Sequence, residues 1–211
     1  MLNDVNINTE SLKQINLNIQ KYSNNPKKVK LIAVTKTFSH KSINSAIEND
    51  VNDIGENKIQ EFILKKPHIN NKKKLTTHFI GKIQSNKVKK IVNNFDIIHS
   101  IDRIKILNKI NKAAANQNKK QKILLQINIS NAKTQSGFNK EETLKISSYA
   151  TKLLNVELIG LMCIASNTKD KKKISENFKD IKKIQKQIQK TTNKKCTNLS
   201  MGMSGDYKEA L

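Results

Sequence analysis

Short apolar segments alternate with helix-like segments along almost the whole of this chain. The pattern repeats about every 30 residues, which is the length of one strand–helix unit in a parallel sheet. Seven such units predict an α/β fold of the TIM-type (β/α)8 barrel kind rather than an open sheet. We expect the eighth strand to be missing, since the sequence ends where that strand would begin. Residues 1–211 are therefore expected to form a single barrel domain that is incomplete at its C-terminal end.

The apolar periodicity also predicts where the individual elements lie. The predicted strands cover short apolar runs, at residues 31–35, 51–54, 75–80, 95–99, 123–129, 156–162 and from residue 198. The predicted helices have apolar residues at helical spacing, and they cover residues 9–22, 39–48, 85–94, 140–154 and 172–190, with further helices ending near residues 66 and 118 and one beginning at 206.

Bulk properties exclude several classes of protein. The sequence has no apolar stretch of the roughly 18 residues that a membrane-spanning helix needs, so we expect no membrane association. Cys163 and Cys196 are far apart and lie in or beside apolar runs. They are expected to be buried free thiols, which favours a reducing, cytoplasmic location.

The formal net charge of +23 raises the alternative of a nucleic-acid-binding protein. The charge comes almost entirely from lysine, since Arg103 is the single arginine, and aromatic residues make up only 4% of the chain with no tryptophan. Proteins that read nucleic acids rely on arginine and on aromatic stacking. A solvated basic surface without a specific nucleic-acid partner is the favoured interpretation.

The C-terminal ends of the predicted strands bring mostly polar residues to the edge of a barrel where active sites lie. The residues at these ends are Lys36, Asn57, His78 with Gly81, Ser100 with Asp102, Gln126, Asn128, Met162, Ser200 and Ser204. The set contains no pair of carboxylates for acid–base catalysis and no His/Asp/Glu trio for a metal ion. We therefore predict neither catalytic residues nor a metal site.

The loop Ser200-Met-Gly-Met-Ser204 is a candidate phosphate site. It combines small residues, two hydroxyl groups and free backbone N–H groups just before a predicted helix. Barrels often bind phosphate in the loops after strands seven and eight, close to strand one. An aldehyde with a phosphate tail would fit this loop together with the amine of Lys36. Pyridoxal 5′-phosphate, held as a Schiff base on Lys36, is such a molecule.

A series of motifs supports this hypothesis through a family resemblance. The motifs, in chain order, are Ala33-Val-Thr-Lys-Thr37, Gly55-Glu-Asn57, His78-Phe-Ile-Gly81, His99-Ser-Ile-Asp102, Gln126-Ile-Asn128, Gly160-Leu-Met162 and Ser200-Met-Gly-Met-Ser204. Together they closely resemble the pyridoxal phosphate homeostasis protein family, from about residue 10 to the end of the sequence. The resemblance implies an alanine-racemase-like barrel without the second, β-rich domain of the racemases.

The resemblance also implies a set of cofactor-binding residues. Lys36 matches the lysine that binds the cofactor covalently in the family. Ser200, Met201, Gly202 and Ser204 match its phosphate loop. Residues at four further positions are expected to line the pocket, namely Asn57, His78, Ser100 and Met162.

The family is understood to carry and regulate vitamin B6 vitamers without established catalytic turnover. We therefore expect a monomeric protein of intracellular pyridoxal phosphate homeostasis, with pyridoxal phosphate, related B6 vitamers and pyridoxal-phosphate-dependent apoenzymes as partners. Related racemases draw a second acid–base group from an extra domain, which this chain is too short to carry. One alternative is a racemase-like enzyme. Another is a decayed copy that no longer binds the cofactor, because the Arg-Ile-Gly and Phe-Gly turns of the family are absent.

Several candidate residues also have a purely structural interpretation. Lys36 could be one more surface lysine, and His78 and His99 could be core or loop histidines whose hydrogen bonds are satisfied. Asn57 and Ser204 could be helix caps, and Met162 could simply fill the core.

Overall fold

The strands of this protein form one parallel sheet whose spatial order follows the chain order. The computed structural model describes residues 2–132 and 134–211. The sheet runs β1 to β7 with every neighbouring pair parallel. The strands are β1 (Ala33–Val34), β2 (Asp53–Glu56), β3 (Thr76–Phe79), β4 (Ile97–Ile101), β5 (Gln121–Ile127), β6 (Val156–Cys163) and β7 (Asn198–Ser200).

Helices alternate with the strands, as the apolar periodicity predicts. They are α1 (Thr9–Tyr22), α2 (His40–Glu48), α3 (Ile59–Lys65), α4 (Val88–Asn94), α5 (Ile104–Ala115), α6 (Thr143–Thr151), α7 (Lys171–Thr191) and α8 (Tyr207–Ala210). Short polar side chains begin several of them. Asn8, Ser39 and Asp170 accept hydrogen bonds from backbone N–H groups in the first turns of α1, α2 and α7. These caps satisfy donors that have no partner within the helix.

The core lies between the sheet and the surrounding helices. Strand residues such as Ile54, Ile98 and Leu161 are fully buried, and so are helix residues such as Ile110 and Ile181. Burying each large apolar side chain stabilises the fold by about 1.5–3 kcal/mol before entropy is counted. The amphipathic pattern of the helices therefore fixes which side of each helix faces the sheet.

The sheet is curled rather than flat. His99 on β4 and Ser200 on β7 are joined by a 2.8 Å hydrogen bond between Nδ1 and Oγ, although β5 and β6 lie between these strands in the sheet. Such a contact requires the sheet to bend until β4 faces β7. The fold is therefore the predicted (β/α)8-type barrel with seven strands, and β1 and β7 do not pair with each other in the part of the chain that the structure describes.

Several element boundaries differ from the predicted ones. The opening helix is confirmed at Thr9–Tyr22, but β1 covers only Ala33–Val34 instead of residues 31–35. β2 is shifted towards the C-terminus, because its pairing with β3 continues to Glu56 opposite Phe79. The apolar pattern marks burial, whereas the boundaries depend on pairing with the neighbouring strand.

Two further expectations concern the cysteines and membranes. Cys163 and Cys196 are both buried free thiols, as predicted. None of the helices in residues 2–132 and 134–211 has the length and apolar character required to cross a membrane.

Candidate cofactor site at the carboxyl ends of the strands

Lys36 lies in the turn that follows β1, two residues beyond the end of the strand. Its side chain is exposed, and its ammonium group has no hydrogen-bond or ion-pair partner among residues 2–132 and 134–211. The next residue, Thr37, has φ +68°, a left-handed conformation that is unusual for a β-branched side chain. The Thr37 N–H donates a 3.0 Å hydrogen bond to Oε2 of Glu61, which holds this turn in place.

A buried ion pair between Lys65 and Glu56 anchors Thr35, the residue before Lys36. The Lys65 ammonium lies 2.7 Å from Oε1 of Glu56, and the two side chains are 1% and 0% exposed. Lys65 also donates to the carbonyl of Thr35 at 2.9 Å, and the Thr35 hydroxyl donates to Glu56 at 2.7 Å. Burial raises the pKa of Glu56, while its hydrogen bonds from Lys65 and Thr35 act in the opposite direction. The backbone on both sides of Lys36 is thus held by charged side chains.

The ends of β2, β3 and β4 pack closely together beside this turn. A Cβ atom at Gly81 would lie 2.0 Å from the carbonyl oxygen of Asn57, so only glycine fits there. The hydroxyl of Ser100 donates to the carbonyl of Gly81. Asn57 is half-buried, and its Oδ1 has no hydrogen-bond partner in the described part of the chain. Asn57 does not cap α3, whose N-cap residue is Lys58.

Four side chains form a continuous hydrogen-bonded chain through the barrel interior. Asp53 Oδ1 lies 2.8 Å from Nε2 of His78, and His78 Nδ1 lies 2.8 Å from Nε2 of His99. The chain ends at the 2.8 Å contact between His99 Nδ1 and the Ser200 hydroxyl. Both histidines are only 3% exposed. The interpretation of His78 as a satisfied buried histidine is confirmed, and we call this set the Asp53–Ser200 chain.

Electrostatics within the Asp53–Ser200 chain favour an ionised aspartate and a neutral His99. The hydrogen bond from His78 lowers the pKa of Asp53, and the ammonium of Lys30, 3.7 Å away, adds to this effect. Burial and the neighbouring His78 lower the pKa of His99 to about 3. His99 therefore carries no charge at neutral pH.

The loop after β7 has unpaired backbone donors. The N–H groups of Met201, Gly202, Ser204 and Gly205 have no acceptor in residues 2–132 and 134–211. Gly202 has φ +82°, which favours glycine at this turn. Ser204 is exposed and is not the cap of α8, because the N-cap residue is Asp206. Unpaired N–H groups on a tight turn are a common arrangement for binding an anion.

The structure brings most of the predicted residues to one end of the barrel. Met162 is buried and lies opposite Ser200 in the pairing of β6 with β7. His78 reaches Ser200 through His99, and Asn57 approaches Ser100 through Gly81. Lys36 makes no side-chain hydrogen bond with any of them within the described residues.

Sequence reasoning missed Asp53, and it treated His99 only as a satisfied histidine of the core or of a loop. Asp53 begins β2, two residues before Gly55 and four before Asn57, so strand alternation places all three on the same side of the sheet. That alternation was a usable signal for Asp53. The contact of His99 with Ser200 depends on the curl of the sheet, which the sequence does not encode locally.

In the described part of the chain, no group of three or more His, Cys, Asp or Glu residues is placed to hold a metal ion. The polar groups available at the carboxyl ends of the strands are an amine, hydroxyls, amides and backbone N–H groups. These groups can bind an aldehyde and an anion.

Comparison with known proteins defines the class of this fold. The family model described as "Alanine racemase, N-terminal domain" matches residues 10–210. An alanine racemase of Clostridium difficile has a TM-score of 0.70 at 16% identity, covering 91% of this chain and 50% of that one. At this identity the similarity shows the fold alone. The protein thus has the barrel of the alanine racemase N-terminal domain.

Curated relatives narrow the class further. A pyridoxal phosphate homeostasis protein of Synechocystis is 37% identical over 187 residues, covering 88% of this chain and 85% of that protein. Another, of Buchnera aphidicola from Schizaphis graminum, is 35% identical over 211 residues, covering 100% and 92%. This chain belongs to the pyridoxal phosphate homeostasis protein family.

Solved structures agree with this assignment. PipY of Synechococcus elongatus with pyridoxal phosphate bound has a TM-score of 0.81 at 30% identity, covering 93% of this chain and 92% of that one. A protein of Bifidobacterium adolescentis described as unknown has a TM-score of 0.84 at 28% identity, covering 99% and 93%.

Proposed function

We propose that this protein binds pyridoxal 5′-phosphate as a Schiff base on Lys36 and takes part in intracellular pyridoxal phosphate homeostasis. The observation that carries this proposal is the state of Lys36. Its amine has no partner in the described residues, while Glu61 and the Glu56–Lys65 pair anchor the turn around it. A lysine with these properties is available to a carbonyl compound at a fixed position. The names of the relatives, and the pyridoxal phosphate in PipY, support the same ligand.

The remaining predicted residues are proposed to hold the rest of the cofactor. The phosphate would accept hydrogen bonds from the loop of Ser200, Met201, Gly202 and Ser204, whose backbone donors beyond Ser200 are unpaired in the described part of the chain. The four pocket positions would surround the ring, namely Asn57, His78, Ser100 and Met162. The unpaired Oδ1 of Asn57 is a free acceptor for such a ligand.

We propose binding without turnover. Reaction at a pyridoxal phosphate centre needs a group that moves protons at the substrate carbon. Both ring nitrogens of His78 and of His99 are already engaged within the Asp53–Ser200 chain. The two carboxylates beside the Lys36 turn are also engaged, Glu56 with Lys65 and Glu61 with Lys58. The protein would then act as one cytoplasmic, monomeric barrel domain of residues 1–211 that exchanges B6 vitamers with pyridoxal-phosphate-dependent apoenzymes.

The test is a visible absorption spectrum with added pyridoxal 5′-phosphate, followed by borohydride reduction and peptide mapping by mass spectrometry. We expect Schiff-base absorption and a single reduced adduct at Lys36. Lys36→Ala should lose both. The matched control is Lys82→Ala, because Lys82 is an exposed lysine shortly after β3, and this variant should keep the Lys36 adduct. An adduct spread over many lysines, or one that persists in Lys36→Ala, would contradict the assignment.

A turnover assay separates binding from catalysis. Purified protein loaded with pyridoxal 5′-phosphate is incubated with L-alanine and with other L-amino acids, and D-enantiomers are measured by chiral chromatography. We expect none above the level of free cofactor. Racemisation that disappears in Lys36→Ala would favour the racemase-like alternative.

A further inference from the structure

The Asp53–Ser200 chain connects the two ends of the barrel. Asp53 begins β2, at the amino end of the strands, and its side chain is 17% exposed. Ser200 is the last residue of β7, at the carboxyl end, and is the first residue of the proposed phosphate loop. The two histidines between them are buried. A change at one end of this chain can therefore reach the other through hydrogen bonds alone.

Ionised Asp53 fixes the direction of every hydrogen bond in the chain while both histidines are neutral. A carboxylate only accepts, so His78 must donate from Nε2, which leaves its Nδ1 as an acceptor. His99 must then donate from Nε2, which leaves its own Nδ1 as an acceptor. The partner of that nitrogen is Ser200, which must donate its hydroxyl hydrogen. No other arrangement satisfies all three contacts.

When Ser200 donates its hydroxyl hydrogen to His99, the arrangement is unfavourable for binding an anion at Ser200. A phosphate needs hydrogen-bond donors, and the hydroxyl of serine has only one hydrogen to give. Reversing the chain frees that hydrogen, since Ser200 then accepts from His99 Nδ1. The reversed chain contains one additional proton, which places a cation on His78 between Asp53 and the acceptor nitrogen of His99. Solvent supplies this proton. In the reversal the proton of His99 Nε2 moves to His78 Nδ1, and His99 Nδ1 gains a proton in its place, so one N–H bond breaks and two N–H bonds form for a net uptake of one proton.

We propose that Asp53, His78 and His99 are positioning residues for Ser200, and that they couple phosphate binding at the loop after β7 to the uptake of one proton. This inference rests on the proposed function, because it takes the phosphate of the ligand to lie at Ser200. It adds that a ligand with a phosphate dianion binds together with one proton taken up by this chain of residues. An analogue without the phosphate would bind without that proton.

The other charges around the chain are consistent with this coupling. Lys30 lies 3.7 Å from Asp53 but is 71% exposed, so solvent screens its effect. Burial and the neighbouring His78 keep His99 neutral. Asp53 is therefore the group that can stabilise a cation on His78, at 2.8 Å.

Asp53→Asn tests the coupling directly. The carboxylate of aspartate can only accept hydrogen bonds, whereas the amide of asparagine can also donate one, and the two side chains have nearly the same shape. The side-chain amide introduced at position 53 can donate to Nε2 of His78. His78 can then donate from Nδ1, and His99 can donate to Ser200 without any added proton. The experiment is isothermal titration calorimetry with pyridoxal 5′-phosphate, in buffers with different ionisation enthalpies, from about pH 6.5 to 8.5. The slope of observed enthalpy against buffer ionisation enthalpy gives the number of protons taken up.

On binding pyridoxal 5′-phosphate, we expect the natural chain to take up about one proton more than Asp53→Asn. In the pH range where this extra proton is taken up, the Kd of the natural chain should rise about tenfold more per pH unit than the Kd of Asp53→Asn. Asp53→Asn should bind more tightly than the natural chain at the upper end of this pH range, which a merely structural lesion would not produce. The ionisation of the ligand itself is common to both proteins and cancels in the difference.

Two controls decide among the outcomes. Pyridoxal lacks the phosphate and should show equal proton uptake with both proteins. In a Ser200→Ala background, Asp53→Asn should no longer change the proton count, and thermal unfolding verifies that each variant is folded. Equal proton uptake of pyridoxal 5′-phosphate by the natural chain and Asp53→Asn would overturn the coupling. If the coupling is found but no Lys36 adduct forms, the covalent part of the proposed function fails alone, while absence of any binding overturns both.

Discussion

Removing the charge of Lys65 should destabilise the protein and reveal how the Lys36 turn is held. In Lys65→Met the Glu56 carboxylate stays fully buried but keeps only the Thr35 hydroxyl as a donor. Two hydrogen bonds from the ammonium are lost, at 2.7 Å and 2.9 Å. At about 1.5–3 kcal/mol for each bond involving a charged group, the loss is about 3–6 kcal/mol. Removing one partner of a buried ion pair typically lowers the free energy of unfolding by about 3–5 kcal/mol, which agrees with this value.

The destabilisation should depend on pH in a defined direction. Burial raises the pKa of Glu56 above its value in the unfolded chain, and Lys65, which opposes that shift, is gone in the variant. A folded state with the raised pKa binds a proton more readily than the unfolded state. The stability of Lys65→Met is therefore highest below the unfolded pKa and falls as the pH rises through the folded pKa. The deficit relative to the natural chain should thus be larger at pH 8 than at pH 5.

The assay is urea unfolding followed by circular dichroism at both pH values. Lys66→Met is the matched control, since Lys66 is the next residue and is exposed, and its free energy of unfolding should change by less than about 0.5 kcal/mol. The double variant Glu56→Gln/Lys65→Met should recover part of the loss, because it leaves no buried charge. A cost below about 1 kcal/mol for Lys65→Met, or a deficit independent of pH, would refute this account.

Three further predictions concern other parts of the structure. Ser39→Ala should lower the free energy of unfolding by about 1 kcal/mol in urea titrations, because Ser39 caps α2; an unchanged midpoint would contradict the capping role. Tyr207→Phe should cost about 1 kcal/mol in thermal unfolding, since Asn18 on α1 donates a 2.6 Å hydrogen bond to the Tyr207 hydroxyl, whereas an unaltered Tm would show that this contact is unimportant. Cys163 and Cys196 should resist iodoacetamide at pH 8 until denaturant is added, because burial raises the pKa of each thiol to about 12; rapid labelling of the folded protein would disprove this.

The order of strands and helices could be predicted because each element has a local pattern. The apolar run at residues 156–162 and the helical spacing in residues 172–190 correspond closely to β6 and α7. Strand β1 was overestimated, because Leu31 and Ile32 are apolar without extending the pairing with β2. Burial and strand pairing are separate requirements, and a sequence pattern reports only the first.

The candidate site was predictable to the extent that it lies at the ends of strands. Lys36, Asn57 and Ser200 follow or end strands, so the fold alone places them at one end of the barrel. The partners of these residues were not predictable in this way. Lys65 resembles the many surface lysines of this chain until the structure shows it buried, and the contact of His99 with Ser200 joins residues 101 positions apart.

The agreement of strand order with chain order has a consequence for synthesis on the ribosome. Each strand pairs with the one made just before it, so the sheet can grow as the polypeptide emerges. The residues from Ser200 onward return to early elements, with Ser200 reaching His99 and Tyr207 reaching Asn18. If the loop after β7 holds the phosphate of the ligand, as proposed above, a nascent chain stalled before residue 198 would have six of the described strands but not this loop, so ligand capture would have to follow the synthesis of β7.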